Sequence, residues 1–256
     1  MLSDIDSATI TAFGILNTVA DAALGSGRDD PVVLSDLKKY VSVTGSLSIA
    51  TVTRGTPFPG TFMVDRDGRV TARFFEEFYR ERSTASTIML RLGTGAPPVA
   101  ATKLSRHDLE VTTYAADSVV APGNRTVLVV NISPRPKMHV YAPGASGYRT
   151  VNLTIAHDPL VRVLPVRYPP SQLYFFKPLN ERVPVYQTPF TLLQEFVLEV
   201  TPQAESAFRG KTGLTLSGTL EYQACNDTVC FNPASLPLSW TLAVKPNITE
   251  RLKRPN

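Results

Sequence analysis

The chain has 256 residues, 43% of them hydrophobic and 19% charged, a balance that excludes intrinsic disorder and allows one large domain or two ordinary ones, each with a real core. A formal charge of +4 and a pI near 9.1 are too small and too dispersed to mark a nucleic-acid binder, and the basic run ERLKRPN at 250–256 reads as a solvated tail. No run of about 18 apolar residues occurs, so no membrane span is expected in this chain.

The first part, to about residue 95, mixes helical and strand signals. MLSDIDSATITAFGILN has Ser3 or Asp4 as N-cap and places Ile10, Phe13 and Ile15 on one helical face. It has neither the basic nor the apolar region of a signal peptide. TFMVDRDGRVTARFF reads as a hairpin, turning at Asp65-Arg66-Asp67-Gly68 and returning through the alternation of Val70, Ala72 and Phe74. STASTIMLRLG predicts a closing helix with Ser83 or Thr84 as cap and Gly93 as stop. Helix, strand, strand, helix is half of an α/β domain.

GTGAPPVAAT, 93–102, has the composition of a linker. Beyond it the chain breaks into short β-rich runs such as LEVTTYAA, RTVLVVNIS, KMHVYAPG, FTLLQEFVLEV, GLTLSGTLEYQA and LPLSWTLAV. About eight such strands over about 150 residues, with no helical pattern, predict an antiparallel β-sandwich. RYPPSQLYFFKPLNERVPVYQTP, 167–189, is the longest irregular stretch. It carries aromatic residues that a solvated loop has little reason to keep, so it is expected to be a lid or binding loop.

Both cysteines of the chain, Cys225 and Cys230, lie in EYQACNDTVCFNP. A strand runs into Cys225, Asn226 and Asp227 form turns, and Cys230 begins the return. Facing Cα atoms of a hairpin lie about 4.5–5.5 Å apart, which is within disulfide reach. A staple over so short a loop is worth only about 2 kcal/mol. A metal would need further ligands, and His107, His139 and His157 are dispersed, so no metal or cofactor is expected. A reversible redox pair wants short spacing, because the second thiol must resolve the mixed disulfide. On the residues alone the redox and structural readings stand level.

GTLEYQACNDTVCFNPASLPLSWTLAV resembles the amino-terminal domain of the thiol:disulfide interchange protein DsbD, where a Tyr-Gln-x-Cys segment leads to a second Cys followed by Pro. KMHVYAPG resembles an upstream strand of the same family, and the likeness covers roughly 105–245. The resemblance implies an immunoglobulin-like fold and a periplasmic or otherwise exported location. It also implies that Cys225 and Cys230 are an active pair, exchanging electrons with a thioredoxin-fold or membrane-embedded partner in transient encounters. An aromatic cap loop would shield them, with Phe175 or Phe176 as lid beside Tyr174. Tyr141, His139, Tyr222 and Gln223 are expected near the site. A cationic His139 would favour thiolate.

LSDIDSATITAFGILN and PFPGTFMVDRDGRVTARFFEEFYRERSTASTIM resemble the second half of a redoxin, the peroxiredoxin-like branch of the thioredoxin fold, over residues ~1–92. Pro59 matches the proline that is cis in such folds. No cysteine precedes Cys225, so the catalytic cysteines of a redoxin are missing, and Met1 is expected to lie inside a longer ancestral domain. The expectation is therefore an α+β two-part chain. A partial thioredoxin-like α/β segment (1–95) and a linker (96–104) lead to an immunoglobulin-like antiparallel β-sandwich (105–246) and a basic tail (247–256). Two rival readings are a non-catalytic binding or structural sandwich with a hairpin-pinning disulfide, and a redoxin-type peroxidase or reductase fragment.

Overall fold

The structure, a computed structural model, describes residues 8–12, 31, 35, 38, 60–75, 81–95, 100–176 and 180–245. Ser3, Asp4, Phe13, Ile15, Pro59 and the tail 247–256 lie outside the described residues. The chain forms two compact units, one running to Ser83 and including Val200–Ser206, the other comprising Thr84–Glu199 and Ala207 onward.

In the first unit, helix α1 spans Ala8–Ala12, and strands β1 (Gly60–Val64) and β2 (Val70–Phe75) pair antiparallel. Asp65 makes the turn between them. Its Oδ1 accepts from the backbone N–H groups of Asp67 and Arg69, at 3.0 and 2.8 Å, and Gly68 takes φ +79°, which a residue with Cβ seldom adopts. A short strand, β3, follows at Arg82–Ser83.

The second unit opens with helix α2 (Ala85–Arg91). Thr84 caps it by accepting from the Thr87 N–H at 3.2 Å, and Gly93 beyond its end has φ +73°. The strands of this unit are β4 (Thr102–Ser105), β5 (Leu109–Ala115), β6 (Val119–Val120), β7 (Asn124–Pro134), β8 (His139–Tyr141), β9 (Asn152–Ile155), β10 (Val161–Val163), β11 (Gln172–Phe176), β12 (Glu181–Tyr186), β13 (Phe190–Leu198), β14 (Gly213–Tyr222), β15 (Ala224–Cys225) and β16 (Ala234–Val244). They form three sheets, whose strands run in the orders β10-β13-β7-β5-β4, β6-β16-β14-β9 and β11-β12-β8-β15.

Period-two alternation builds the core. Leu236, Leu238, Trp240, Leu242 and Val244 of β16 are buried while their neighbours are not, and they pair with the matching residues of β14, Leu216 opposite Trp240 and Leu220 opposite Leu236. Trp240 crosses to the facing sheet, where its Nε1–H donates to Thr113 Oγ1 at 2.7 Å and that hydroxyl donates to the Val129 carbonyl at 2.8 Å. A buried indole donor is thus satisfied inside the sandwich. This is the expected immunoglobulin-like β fold.

Three features depart from the sequence reading. The stretch 167–189 is not an irregular loop, because β11 and β12 pair through it as a hairpin with Gln172 opposite Val185 and Phe176 opposite Glu181. The β-rich region also holds a helix, α3 (Pro202–Phe208), capped by Thr201 Oγ1, which accepts from the Ala204 N–H at 3.1 Å. Helix α2 belongs with the sandwich, where Leu90 packs against Tyr114, Val127 and Val129.

The α2 contact has a buried polar centre. Glu195, on β13, is only 2% exposed. It accepts from Arg91 at 2.6 and 3.0 Å and from Arg125 at 2.7 Å, with Arg167 3.2 Å away. Burial pushes the carboxyl up, but Arg91 and Arg125 outweigh it and hold it below the ordinary carboxylate range. Glu195→Ala removes the buried carboxylate that Arg91 and Arg125 share and should cost about 3 kcal/mol in urea unfolding. Glu199→Ala breaks the more exposed pair with Arg162 and should cost under about 1 kcal/mol.

Candidate active site

Cys225 and Cys230 are bonded as a disulfide with Cα atoms 4.1 Å apart, a little closer than expected. The ladder explains it. The Asn226 N–H donates to the Val229 carbonyl and the Phe231 N–H to the Ala224 carbonyl, both at 2.9 Å, and these two bonds flank the cysteines. The cysteines are therefore a non-hydrogen-bonded antiparallel pair, the rung at which Cα atoms come nearest. Between them Asn226 Oδ1 accepts from the N–H groups of Thr228 and Val229 at 2.9 and 2.7 Å, which closes the turn.

The two sulfurs differ in access. Cys225 is 1% exposed because β15 pairs with β8, Cys225 opposite His139. Cys230 is exposed, on the outermost rung.

Cross-strand partners share a sheet face, and the register collects the aromatic residues around the sulfurs. Cys225, His139 and Tyr141 lie on one face with Val185, Val183 and Tyr174, and Tyr141, Val183, Val185 and Cys225 pack as one cluster. The Tyr141 hydroxyl donates to Cys225 Sγ at 3.1 Å and lies 3.5 Å from Cys230 Sγ. Burial, first, and the neighbouring Tyr148, Glu181 and Tyr174 push its ionisation far above the ordinary tyrosine range, so it stays a proton donor.

The hairpin of β11 and β12 borders the same face. Tyr174 lies 4.6 Å from the His139 ring, and its hydroxyl donates to Asp227 Oδ1 in the cysteine turn at 2.6 Å. Phe176 shares its face, 6.5 Å from Tyr174. Phe175 alternates to the opposite face and is 45% exposed.

His139 is 1% exposed, edge-on to Tyr141 at 5.5 Å, and its Nδ1 has no hydrogen-bond partner among the described residues. Burial pushes the imidazole below the ordinary histidine range, with Asp227 opposing it less strongly, so the ring is neutral near pH 7 rather than cationic. Gln223 clamps the chain after Cys230: its Nε2 donates to the Phe231 carbonyl and its Oε1 accepts from the Arg149 N–H, both at 3.1 Å. Tyr222 is buried with its hydroxyl 3.2 Å from Asp108 Oδ1. Among the described residues no group of three or more His, Cys, Asp or Glu could hold a metal, and no described helix is long and apolar enough to cross a membrane.

Two residues beside the sulfurs carry no signal in the sequence. Tyr148 stacks on Tyr141 with centroids 3.9 Å apart and planes 13° from parallel, and Tyr148 donates to Glu181, the first residue of β12. They come from a surface turn and from the far arm of the hairpin.

The family model of the thiol:disulfide interchange protein DsbD, N-terminal, matches residues 108–236. The chain belongs to this family. Solved structures similar to it include the N-terminal periplasmic domain of ScsB from Proteus mirabilis, at 13% identity over 53% of this chain and 49% of that one, TM-score 0.39. Another is the reduced N-terminal domain of Neisseria meningitidis DsbD, at 14% identity over 45% of this chain and 80% of that one, TM-score 0.30. The chain thus spans about half the length of the ScsB structure. Comparison with curated protein sequences gives no match.

The neutral, buried His139 makes the site acid-sensitive. Its folded pKa is depressed, so the unfolded state binds the extra proton. Stability is kept above about pH 6.5 and lost as pH falls toward the folded value, at up to about 1.4 kcal/mol per pH unit. Thermal midpoints from pH 8 to 5 should fall less steeply for His139→Phe than for the parent.

Proposed function

We propose that Cys225 and Cys230 are a redox pair that trades its disulfide with the dithiol or disulfide of a second protein. Cys230 forms the mixed disulfide and Cys225 resolves it. The unequal exposure of two bonded sulfurs carries this reading: an incoming thiolate can reach Cys230, whereas Cys225 is closed off. Exchange proceeds through attack on an accessible sulfur, so access assigns the roles.

A purely structural role is the weaker account. The loop is held without the bond, by the two flanking backbone hydrogen bonds, the Asn226 turn and the Gln223 clamp. The bond therefore adds only about 2 kcal/mol of loop closure, while reduction leaves two thiols aligned to re-form it.

The β11–β12 hairpin acts as the cap. Tyr174 is its inner ring, Phe176 extends the same face, and Phe175 points away from the sulfurs. Opening swings the Tyr174 ring off Asp227 and His139, contacts that a docking partner can replace, while β12, with Glu181, stays paired to β8. The partner is a thioredoxin-fold protein or a membrane-embedded electron carrier met in transient, small-interface encounters, and the compartment is the periplasm. The segment ahead of the sandwich is read as part of a thioredoxin-like fold without redox cysteines, and no reaction is assigned to it.

The reduction potential of the pair should lie above about −300 mV, the region of exchanging rather than structural disulfides. With an oxidised thioredoxin-fold protein, the reduced Cys225→Ser variant should accumulate a mixed disulfide through Cys230, and Cys230→Ser should not. A potential well below that value, with no trapped species from either variant, would refute the exchange reading.

A further inference from the structure

The buried cysteine poses a chemical problem. To resolve a mixed disulfide on Cys230, Cys225 must attack as thiolate. Yet it is 1% exposed, and the imidazole beside it is neutral. Solvent cannot take its proton directly, and the group in contact with its sulfur is the Tyr141 hydroxyl, 3.1 Å away.

That hydroxyl does not stand alone. Tyr148 lies flat on Tyr141, with centroids 3.9 Å apart and planes 13° from parallel. Tyr148 in turn donates to the Glu181 carboxylate. The backbone fixes this order. Glu181 pairs with Phe176 on the cysteine face of the hairpin, and Arg149, next to Tyr148, donates its N–H to Gln223. Glu181 is only partly buried and so can pass a proton on to water.

We propose that Tyr141, Tyr148 and Glu181 form a proton relay for Cys225, with Glu181 as the terminal base. The inference rests on the exchange reading above and goes beyond it by naming the path of the proton. In the outgoing direction Cys230 has taken one sulfur of a partner disulfide, and the other partner sulfur has left as thiolate. The Cys225 thiol then gives its proton to the Tyr141 oxygen, Tyr141 gives its own to Tyr148, and Tyr148 gives its own to the Glu181 carboxylate. The Cys225 Sγ–Cys230 Sγ bond forms, the bond from Cys230 to the partner breaks, and the partner sulfur leaves with the bonding electron pair. The cysteine pair loses two electrons, the partner gains two, and one proton rests on Glu181. In the incoming direction the same path returns the proton to the Cys225 thiolate.

Among the other titratable groups on this face, His139 is neutral, and Tyr174 occupies Asp227 with its hydrogen bond. Asp227 is therefore the rival carboxylate, and a test must separate it from Glu181.

The test is the reaction of the reduced full chain with dithiobisnitrobenzoate, an aryl disulfide whose released thiolate is coloured. The first release reports attack by Cys230 and the second reports resolution by Cys225. In the parent the second phase should vary little from about pH 6 to 8. In Glu181→Gln, which keeps an acceptor for Tyr148 but cannot take a proton, that phase should slow at least about tenfold at pH 7 and rise steeply with pH, as expected when a general base is lost. The first phase should change less than about twofold. Tyr148→Phe should reproduce this behaviour, whereas Asp227→Asn, which loosens the Tyr174 cap, should alter both phases alike and leave the second phase as flat with pH as in the parent. A Glu181→Gln profile that matches the parent, or transfer of the effect to Asp227→Asn, would overturn the relay while leaving exchange intact. Absence of any second release from the parent would instead overturn the exchange reading, and the relay with it.

Discussion

The site depends on one rung of a β-ladder. Cys225 and Cys230 face each other across a non-hydrogen-bonded position, flanked by the Asn226–Val229 and Ala224–Phe231 backbone bonds. Side chains at such a rung lie closest together on one face, which puts the sulfurs within bonding reach. The rung is also the last of its sheet. Pairing with β8 buries Cys225, whereas Cys230 is exposed. One geometric fact thus supplies both proximity and asymmetry, which are the two properties a resolving pair needs.

Around that rung the protein is uncharged rather than cationic. Tyr141 and the neutral His139 share the face of the buried sulfur with Val183 and Val185, and carboxylates enter only at the margin, as Asp227 and Glu181. A low-dielectric pocket without a positive charge disfavours a resident thiolate. Buried charge occurs in another sheet, in the arginine cluster on Glu195, which fastens α2 to β13.

Much of the sandwich could be read in the chain. The alternation in LPLSWTLAV becomes the inward row of β16, and Asp65 with Gly68 makes the expected turn. The stretch 167–189 was harder. Its prolines argue against strands, yet β12 accommodates Pro184 because its pairing with β8 begins at Val185, and the Pro184 carbonyl still accepts from the Ala142 N–H at 2.9 Å. Helix α3 is a short element between long strands and offers too few turns for a periodic signal.

The cysteine spacing, the turn-forming Asn226 and the Tyr-Gln-x-Cys approach are local, so the sequence by itself determined that two thiols meet at a hairpin end, and to which family the chain is similar. Local patterns cannot state which strand lies beside which. Only the pairing of β15 with β8 and of β8 with β12 decided that Cys225 is the hidden sulfur, that His139 is buried and neutral, and that Tyr148 and Glu181, 33 residues apart, meet beside it. Those outcomes follow from non-local register, because burial and electrostatic environment belong to the assembled sheet and not to any one segment of the chain.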